Sequence, residues 1–311
     1  MKLVFFGTPK FAVKPLESIL KSRHEIVAVV TQPDKVNRRG KQMAKSPVKE
    51  FCLKNNLKVL QFEKIKELSA VNTLKKLNAD IMVSCAYGQI FSREIIDMTP
   101  HGIINIHASL LPKYRGPSPV QWALINGEKT VGVTTMKTVM EVDEGEMILQ
   151  KSIELEGWEN SQDVLEKLSF ISAEIIVKTL DLIEEGKAKF IKQNENEATY
   201  CKMLKKQDGK IDFSKTATKL VNFIRGMNPW PSAFTYTTYG MLKIKQADIA
   251  KINPEGDFHP GEVVVSDDKK GFIVKCGEGF LNIKRVQGES AKEMDAKDYL
   301  RGKKIEKGTI L

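Results

Sequence analysis

The segment Asn105-Ile106-His107 sets an amide and an imidazole two residues apart. Residues two apart in a β-strand share a face, so both side chains point off one side of the strand predicted over 103–106. An amide N–H can donate to a developing oxyanion. An imidazole can move a proton near neutral pH. Further along, Glu141-Val142-Asp143-Glu144-Gly145 gathers carboxylates beside glycine in a predicted turn. Asp143 there can hold a histidine in one tautomer and favour its charged form. Asn105, His107 and Asp143 together describe an acyl-transfer site with no covalent nucleophile. Taken alone, His107 also fits a structural histidine with satisfied hydrogen bonds. His24, His101 and His259 lack such company and read as structural. Ser109 and Ser118 lack the G-x-S-x-G frame of a serine nucleophile. No His, Asp, Glu or Cys cluster has metal-ligand spacing, so no metal is expected. Gly7-Thr8-Pro9 lacks the GxGxxG pattern and reads as a tight turn.

Such a site needs a scaffold, and the first half of the chain alternates strand and helix signals. Apolar or β-branched runs at Lys2–Phe6, Glu25–Thr31, Leu57–Gln61, Asp80–Ala86 and Ile103–Ile106 read as strands. Pro9–Leu20, Pro47–Asn55, Lys64–Leu77, Arg93–Asp97 and Pro119–Ile125 read as helices. Alternation of this kind predicts a doubly wound, mostly parallel α/β sheet. Thr130–Met136 and Met147–Leu155 look like longer antiparallel strands. Ligands of open α/β sheets gather at the carboxyl ends of the strands. Asn105 and His107 fall at such an end, and the following Ser109-Leu110-Leu111-Pro112 must loop there. Ser161–Ile183 is the clearest helix, with Asn160 or Ser161 to cap it and Gly186 past its end. After Ala217–Met227 and Asn228-Pro229-Trp230-Pro231, five short strand-like runs predict a small closed or half-open β-barrel. The domain boundary falls near 202–210, and Trp230 between its prolines reads as a packing anchor.

The 311 residues carry 49 Lys and Arg against 39 Asp and Glu, a net charge of +10. Residues 31–50 hold Lys35, Arg38, Arg39, Lys41, Lys45 and Lys49 against two acids. Residues 201–219 hold Lys202, Lys205, Lys206, Lys210, Lys215 and Lys219, again against two acids. Solvated loops account for such runs, and so does a phosphate-contacting surface. No window approaches the length of a bilayer span, and the first residues do not form a signal peptide. Four scattered cysteines without a CxxC pair fit reduced thiols, so a cytoplasmic protein is expected. No coiled coil or apolar stripe demands an oligomer, and a monomer is expected.

Several segments resemble the methionyl-tRNA formyltransferases, within the wider folate-dependent formyltransferase family. They are Phe6-Gly7-Thr8-Pro9-x-Phe11-Ala12, Gln32-Pro33-Asp34-Lys35, the Ser-Leu-Leu-Pro-x-Tyr-Arg-Gly loop and Asp143-x-Gly145. Lys206-x-Asp208-Gly209-x-Ile211-Asp212 and Arg225-x-x-Asn228-Pro229-Trp230-Pro231 extend the likeness toward the end of the chain. The resemblance implies a Rossmann-like catalytic domain over 1–203, with a basic lid at 32–49. It implies an OB-like β-barrel over 204–311 that binds tRNA. The donor would be 10-formyltetrahydrofolate and the acceptor the α-amine of methionine on initiator tRNA. Asn105 and protonated His107 would stabilise the oxyanion, and Asp143 would orient His107. Ser109, Leu110, Leu111 and Pro112 would line the folate site. The backbone of Ala86, Tyr87, Gly88, Gln89 and Ile90 would hold the pterin. Lys35, Arg38, Arg39, Lys41, Lys45, Lys202, Lys205, Lys206 and Lys210 would meet the tRNA. The same trio would serve a sugar-nucleotide N-formyltransferase or a formyltetrahydrofolate hydrolase. A non-catalytic RNA-binding protein is the alternative of another class, and the complete trio argues against it.

Overall fold

The computed structural model describes residues 1–36, 43–252 and 254–311. The chain divides into two compact units. One comprises 1–116, 131–153 and 165–201; the other comprises 117–130, 154–164 and 202–311.

The strands of the first half are β1 (Lys2–Gly7), β2 (Glu25–Thr31), β3 (Lys35–Val36), β4 (Met43–Ala44), β5 (Val59–Gln61), β6 (Ile81–Cys85), β7 (Ile103–His107), β8 (Thr130–Lys137) and β9 (Met147–Glu154). The helices among them are α1 (Val13–Leu20), α2 (Pro47–Lys54), α3 (Leu68–Lys75), α4 (Arg93–Ile96), α5 (Pro119–Ile125) and α6 (Ser161–Glu184). Seven strands form one sheet in the order β5-β2-β1-β6-β7-β8-β9. The first five run parallel, and β8 runs antiparallel to β7. β1 and β6 are buried over nearly their whole length, as continuous apolar runs covered on both faces should be. Ser84 of β6 is in register with Asn105 of β7. The loop after β6 therefore lies at the same sheet edge as the candidate site.

One helix, α3, is markedly shorter than its sequence pattern. Residues 64–67 form a turn, and α3 starts only at Leu68. The Ile65 amide donates to Gln89 Oε1 at 2.7 Å, so its hydrogen bond goes to a side chain. At the start of α6 the Asn160 Oδ1 accepts from the Gln162 amide at 2.8 Å, and Asp163 Oδ2 accepts from the Asn160 amide at 3.0 Å. This is a reciprocal N-terminal cap.

In the second unit, α7 (Ala217–Met227) precedes β10 (Ala233–Thr237), β11 (Gly240–Ile249), β12 (Val263–Asp267), β13 (Gly271–Lys275), β14 (Phe280–Gly288), β15 (Met294–Asp295) and α8 (Ala296–Gly302). The antiparallel sheet runs β10-β11-β14-β13-β12, with β15 added to β14. Leu220, Ile224, Leu242, Phe272, Leu281 and Val286 fill its core. Among the described residues no strand pair joins β10 to β12, so this sheet is half-open. Trp230 is not a packing anchor, since 51% of it is exposed. Its neighbour Asn228 is buried, and Asn228 Nδ2 donates to the Ile224 carbonyl at 2.9 Å and the Lys245 carbonyl at 2.8 Å. Among the described residues, no helix is long and apolar enough to cross a membrane.

Candidate active site

Asn105 and His107 lie on the last turn of pleat in β7, and both reach Asp143. Asn105 Nδ2 stands 3.4 Å from Asp143 Oδ1. His107 Nδ1 stands 3.4 Å from Asp143 Oδ2. The Gly116 amide donates to that same Oδ2 at 2.8 Å. On the far side of the ring, His107 Nε2 is 2.9 Å from the Tyr114 carbonyl. A carbonyl only accepts, so Nε2 carries a proton. Nδ1 faces the Asp143 carboxylate, which is an acceptor as well. The two 3.4 Å contacts are longer than good hydrogen bonds. Catalytic hydrogen bonds of a free enzyme are often this long and tighten around substrate.

The backbone around this carboxylate is unusual. Asp143 has φ +57° and Tyr114 has φ +61°, both left-handed. Gly116 has φ +95°, and a Cβ on it would stand 2.7 Å from the Cys201 carbonyl. A Cβ on Gly145 would overlap the Lys137 carbonyl. Only glycine fits such approaches.

The loop 109–112 is held from behind by β8 and β9. Thr134 Oγ1 donates to the Ser109 carbonyl at 2.7 Å and accepts from the Leu111 amide at 3.2 Å. Gln150 Nε2 donates to the Leu111 carbonyl at 2.8 Å. Ser109 Oγ donates to the Lys113 carbonyl at 2.6 Å. Ser109, Leu111 and Pro112 are buried within the protein, and Leu110 is half-buried.

The loop 86–90 is fixed by the turns after β1 and β2. The Tyr87 carbonyl accepts from Thr8 Oγ1 at 2.9 Å and from Gln32 Nε2 at 3.2 Å. Thr8 thus ties the loop rather than closing a simple tight turn. The Tyr87 ring is buried, stacked on Phe91 at 5.8 Å and edge-on to Phe6 at 5.3 Å. Gln89 uses its side chain to hold the 62–65 turn. Ala86, Gly88 and Ile90 are exposed.

Sequence reasoning missed the layer behind the trio. Arg115 is fully buried. Its Nε donates to Gln193 Oε1 at 2.9 Å, and its two terminal nitrogens donate to the Glu195 carboxylate at 2.9 and 2.7 Å. A further bond of 2.9 Å runs to Tyr200 Oη. The hydrogen bond from Arg115 holds Glu195 below the usual carboxylate range. Burial, helped by the Asp143 charge, pushes the Cys201 thiol up to about 12. The arginine was visible in Tyr-Arg-Gly; Gln193 sits in a polar tract without periodicity and gave no signal.

The basic positions differ in how they are engaged. Lys35 and Lys45 are exposed at the paired strands β3 and β4, while Arg38, Arg39 and Lys41 lie outside the described residues. Lys49 is spent, with Nζ 2.6 Å from Asp34 Oδ2 and 2.7 Å from Gln61 Oε1. Lys202, Lys205, Lys206 and Lys210 are all exposed. Their backbone is tied down: Trp122 Nε1 donates to the Lys202 carbonyl at 2.8 Å, Leu204 is buried, and the Lys205 amide donates to Asp208 at 2.7 Å. Among the described residues, His24, Asp181 and Glu184 could together face a cation. The chain's own cations already meet them, Arg23 at Asp181 (2.8 Å) and the Met1 ammonium at Glu184 (2.7 Å).

Residues 1–180 match the formyl transferase family, and residues 203–304 match the formyl transferase C-terminal domain. A methionyl-tRNA formyltransferase of Lachnospira eligens is 44% identical, covering 100% of this chain and 99% of that protein. One of Acetivibrio thermocellus is 43% identical, with the same coverage. Among solved structures, a sugar 3N-formyl transferase determined with dTDP and 5-N-formyl-THF aligns with a TM-score of 0.68 at 23% identity, covering 94% of this chain and 99% of that one. An N-formyltransferase of Helicobacter canadensis, in complex with folinic acid and dTDP-3-aminofucose, aligns with a TM-score of 0.67 at 21% identity, covering 94% and 100%. The structural likenesses establish a shared fold. The family matches and the relatives aligned along the whole chain show that it belongs to the methionyl-tRNA formyltransferase family.

Proposed function

We propose that this enzyme transfers the formyl group of 10-formyltetrahydrofolate to the α-amine of methionine on initiator tRNA, giving N-formylmethionyl-tRNA for translation initiation. The observation that carries the reading is the meeting of Asn105 and His107 at the Asp143 carboxylate. The neutral amine is the nucleophile, and its lone pair attacks the formyl carbon. The carbonyl π electrons move to oxygen, where the Asn105 amide donates a hydrogen bond and the charged His107 ring lends its positive charge. Asp143 takes a proton from the former amine. The oxyanion's electrons re-form the carbonyl, the bond from the formyl carbon to N10 breaks, N10 takes the proton held by Asp143, and tetrahydrofolate leaves. Amine, formyl carbon and trio complete this sequence without calling on a metal.

Loops 86–90 and 109–112 would hold the folate. Lys35, Arg38, Arg39, Lys41, Lys45, Lys202, Lys205, Lys206 and Lys210 would meet tRNA phosphates and unpaired bases. The catalytic domain is read as 1–203 and the tRNA-binding half-open barrel as 204–311. The enzyme is read as a cytoplasmic monomer. A formyl-transfer assay should compare charged initiator tRNA, elongator Met-tRNA and a 4-amino-sugar nucleotide. Turnover of initiator tRNA alone is expected; preferential turnover of the sugar nucleotide would overturn the reading.

A further inference from the structure

We infer that Gln193 is a positioning residue for Asp143, anchored by the buried guanidinium of Arg115. The inference rests on Asp143 being catalytic. Asp143 sits at φ +57°, a conformation that residues with a Cβ rarely adopt. Something must hold it there. Gln193 Nε2 donates to the Asp143 carbonyl at 2.7 Å and to the Gly145 carbonyl at 2.8 Å. One amide group thus brackets the turn on both sides of Glu144. The orientation of that amide is not open to choice. Its oxygen faces Arg115 Nε, which only donates, and its nitrogen faces two carbonyls, which only accept. Gln193 is 4% exposed and Arg115 is 0% exposed, so both are screened from bulk water.

The same arginine reaches the site by a second route. Its amide donates to the Thr199 carbonyl at 2.8 Å, and the Cys201 amide donates to the Arg115 carbonyl at 2.7 Å. These bonds fix the backbone of the next residue, Gly116, whose amide grips Asp143 Oδ2. Arg115 thereby sets the backbone of Asp143 through Gln193 and its carboxylate through Gly116. Gln193 touches neither reacting group; its effect passes through Asp143.

Gln193→Met keeps the length and removes both donors. Gln193→Glu keeps an acceptor for Arg115 but sets a carboxylate against two carbonyls. Each is assayed in the parent and in an Asp143→Ala background, with thermal melts of all variants. In the parent, kcat should fall about tenfold or more, with KM for both substrates within about threefold. In the Asp143→Ala background the Gln193 change should cost no further turnover, because coupled residues are not additive. An equal loss in both backgrounds, or a loss carried by KM, overturns the proposal. Normal turnover in Asp143→Ala itself would instead overturn the reading of the trio. If Gln193→Met fails to fold, Gln193→Glu carries the same comparison.

Discussion

The carboxylate of Asp143 receives the Gly116 amide and faces Asn105 and His107, with a buried arginine behind it. The lysines at 202, 205, 206 and 210 stand exposed, on a backbone that is itself pinned. Both regions carry charge, and they prepare it differently. At a reacting centre, donors are most effective when they are in place before charge develops, because no reorganisation is then needed. At a polyanion contact, ammonium groups stay hydrated and act by displacing counterions from phosphates. Only the backbone must be fixed there. The buried layer around Arg115 and the exposed row of lysines follow from those two requirements.

The largest effects should come from emptying the first region. Asn105→Ala and Asp143→Ala are each expected to lower kcat by about 10²–10⁴, while binding of Met-tRNA persists in a filter or fluorescence titration. Near-normal turnover in either would erase the distinction between the regions. Next in size is Arg115→Met, which leaves Gln193, Glu195 and Tyr200 without their shared partner. A stability loss of about 1–3 kcal/mol is expected, because the buried Gln193 oxygen loses its donor, while the exposed Glu195 carboxylate adds little. It is measured as a fall in the urea midpoint. Arg115→Lys should not restore the parent value, because one ammonium cannot make the two parallel bonds to Glu195. A midpoint within experimental scatter of the parent in Arg115→Met would show that the buried layer is dispensable.

How far the sequence reaches depends on how local the cause is. The strands β1, β2, β6 and β7 were readable because a strand covered on both faces must be apolar throughout. Asn105 and His107 were readable because the strand period fixes their common direction. Asp143 was readable from the glycine beside it. Nothing local announces Gln193, whose two carbonyl partners belong to residues about fifty positions earlier. Gln89 ends the helical pattern over 64–67 from a distance in the same way. The prolines around Trp230 pointed to a fixed segment, but the anchor is the polar Asn228, which satisfies backbone carbonyls that no apolar side chain could serve. The charge runs showed where lysines are, not which are spent: Lys49 goes to Asp34 and Gln61.

That last difference gives a smaller and sharper test. Changing Lys202 and Lys206 together to alanine should raise KM for Met-tRNA by about tenfold and leave KM for the folate donor unmoved. The slope of log binding constant against log salt should fall by about 0.7–0.9 for each phosphate contact removed. Arg38→Ala with Arg39→Ala is expected to act the same way. Lys49→Ala should leave that slope unchanged, since its charge is already met by Asp34. A slope that falls equally for Lys49 would mean that exposure does not separate working lysines from spent ones.

The smallest effect lies where the two kinds of region meet in one ion pair, a fully buried Arg115 against a Glu195 whose side chain is 60% exposed. The hydrogen bond from Arg115 depresses the Glu195 carboxyl. A depressed carboxyl contributes stability that is fully present above its unfolded value, about 4.3. That contribution is lost as the pH falls through the lower folded value. At pH 7 the carboxylate is charged in folded and unfolded chains alike, and the pair contributes in full. Below about pH 4 the unfolded chain takes up the proton first, and the balance tilts toward unfolding. Glu195→Gln removes this titration while keeping an oxygen for one of the arginine's bonds. The parent should therefore lose more of its urea midpoint between pH 7 and pH 3.5 than the variant does. Exposure of the carboxylate to water and salt keeps the difference modest. Equal losses in parent and variant would mean that the exposed half of this pair contributes nothing, and that burial of Arg115 alone holds the layer behind Asp143.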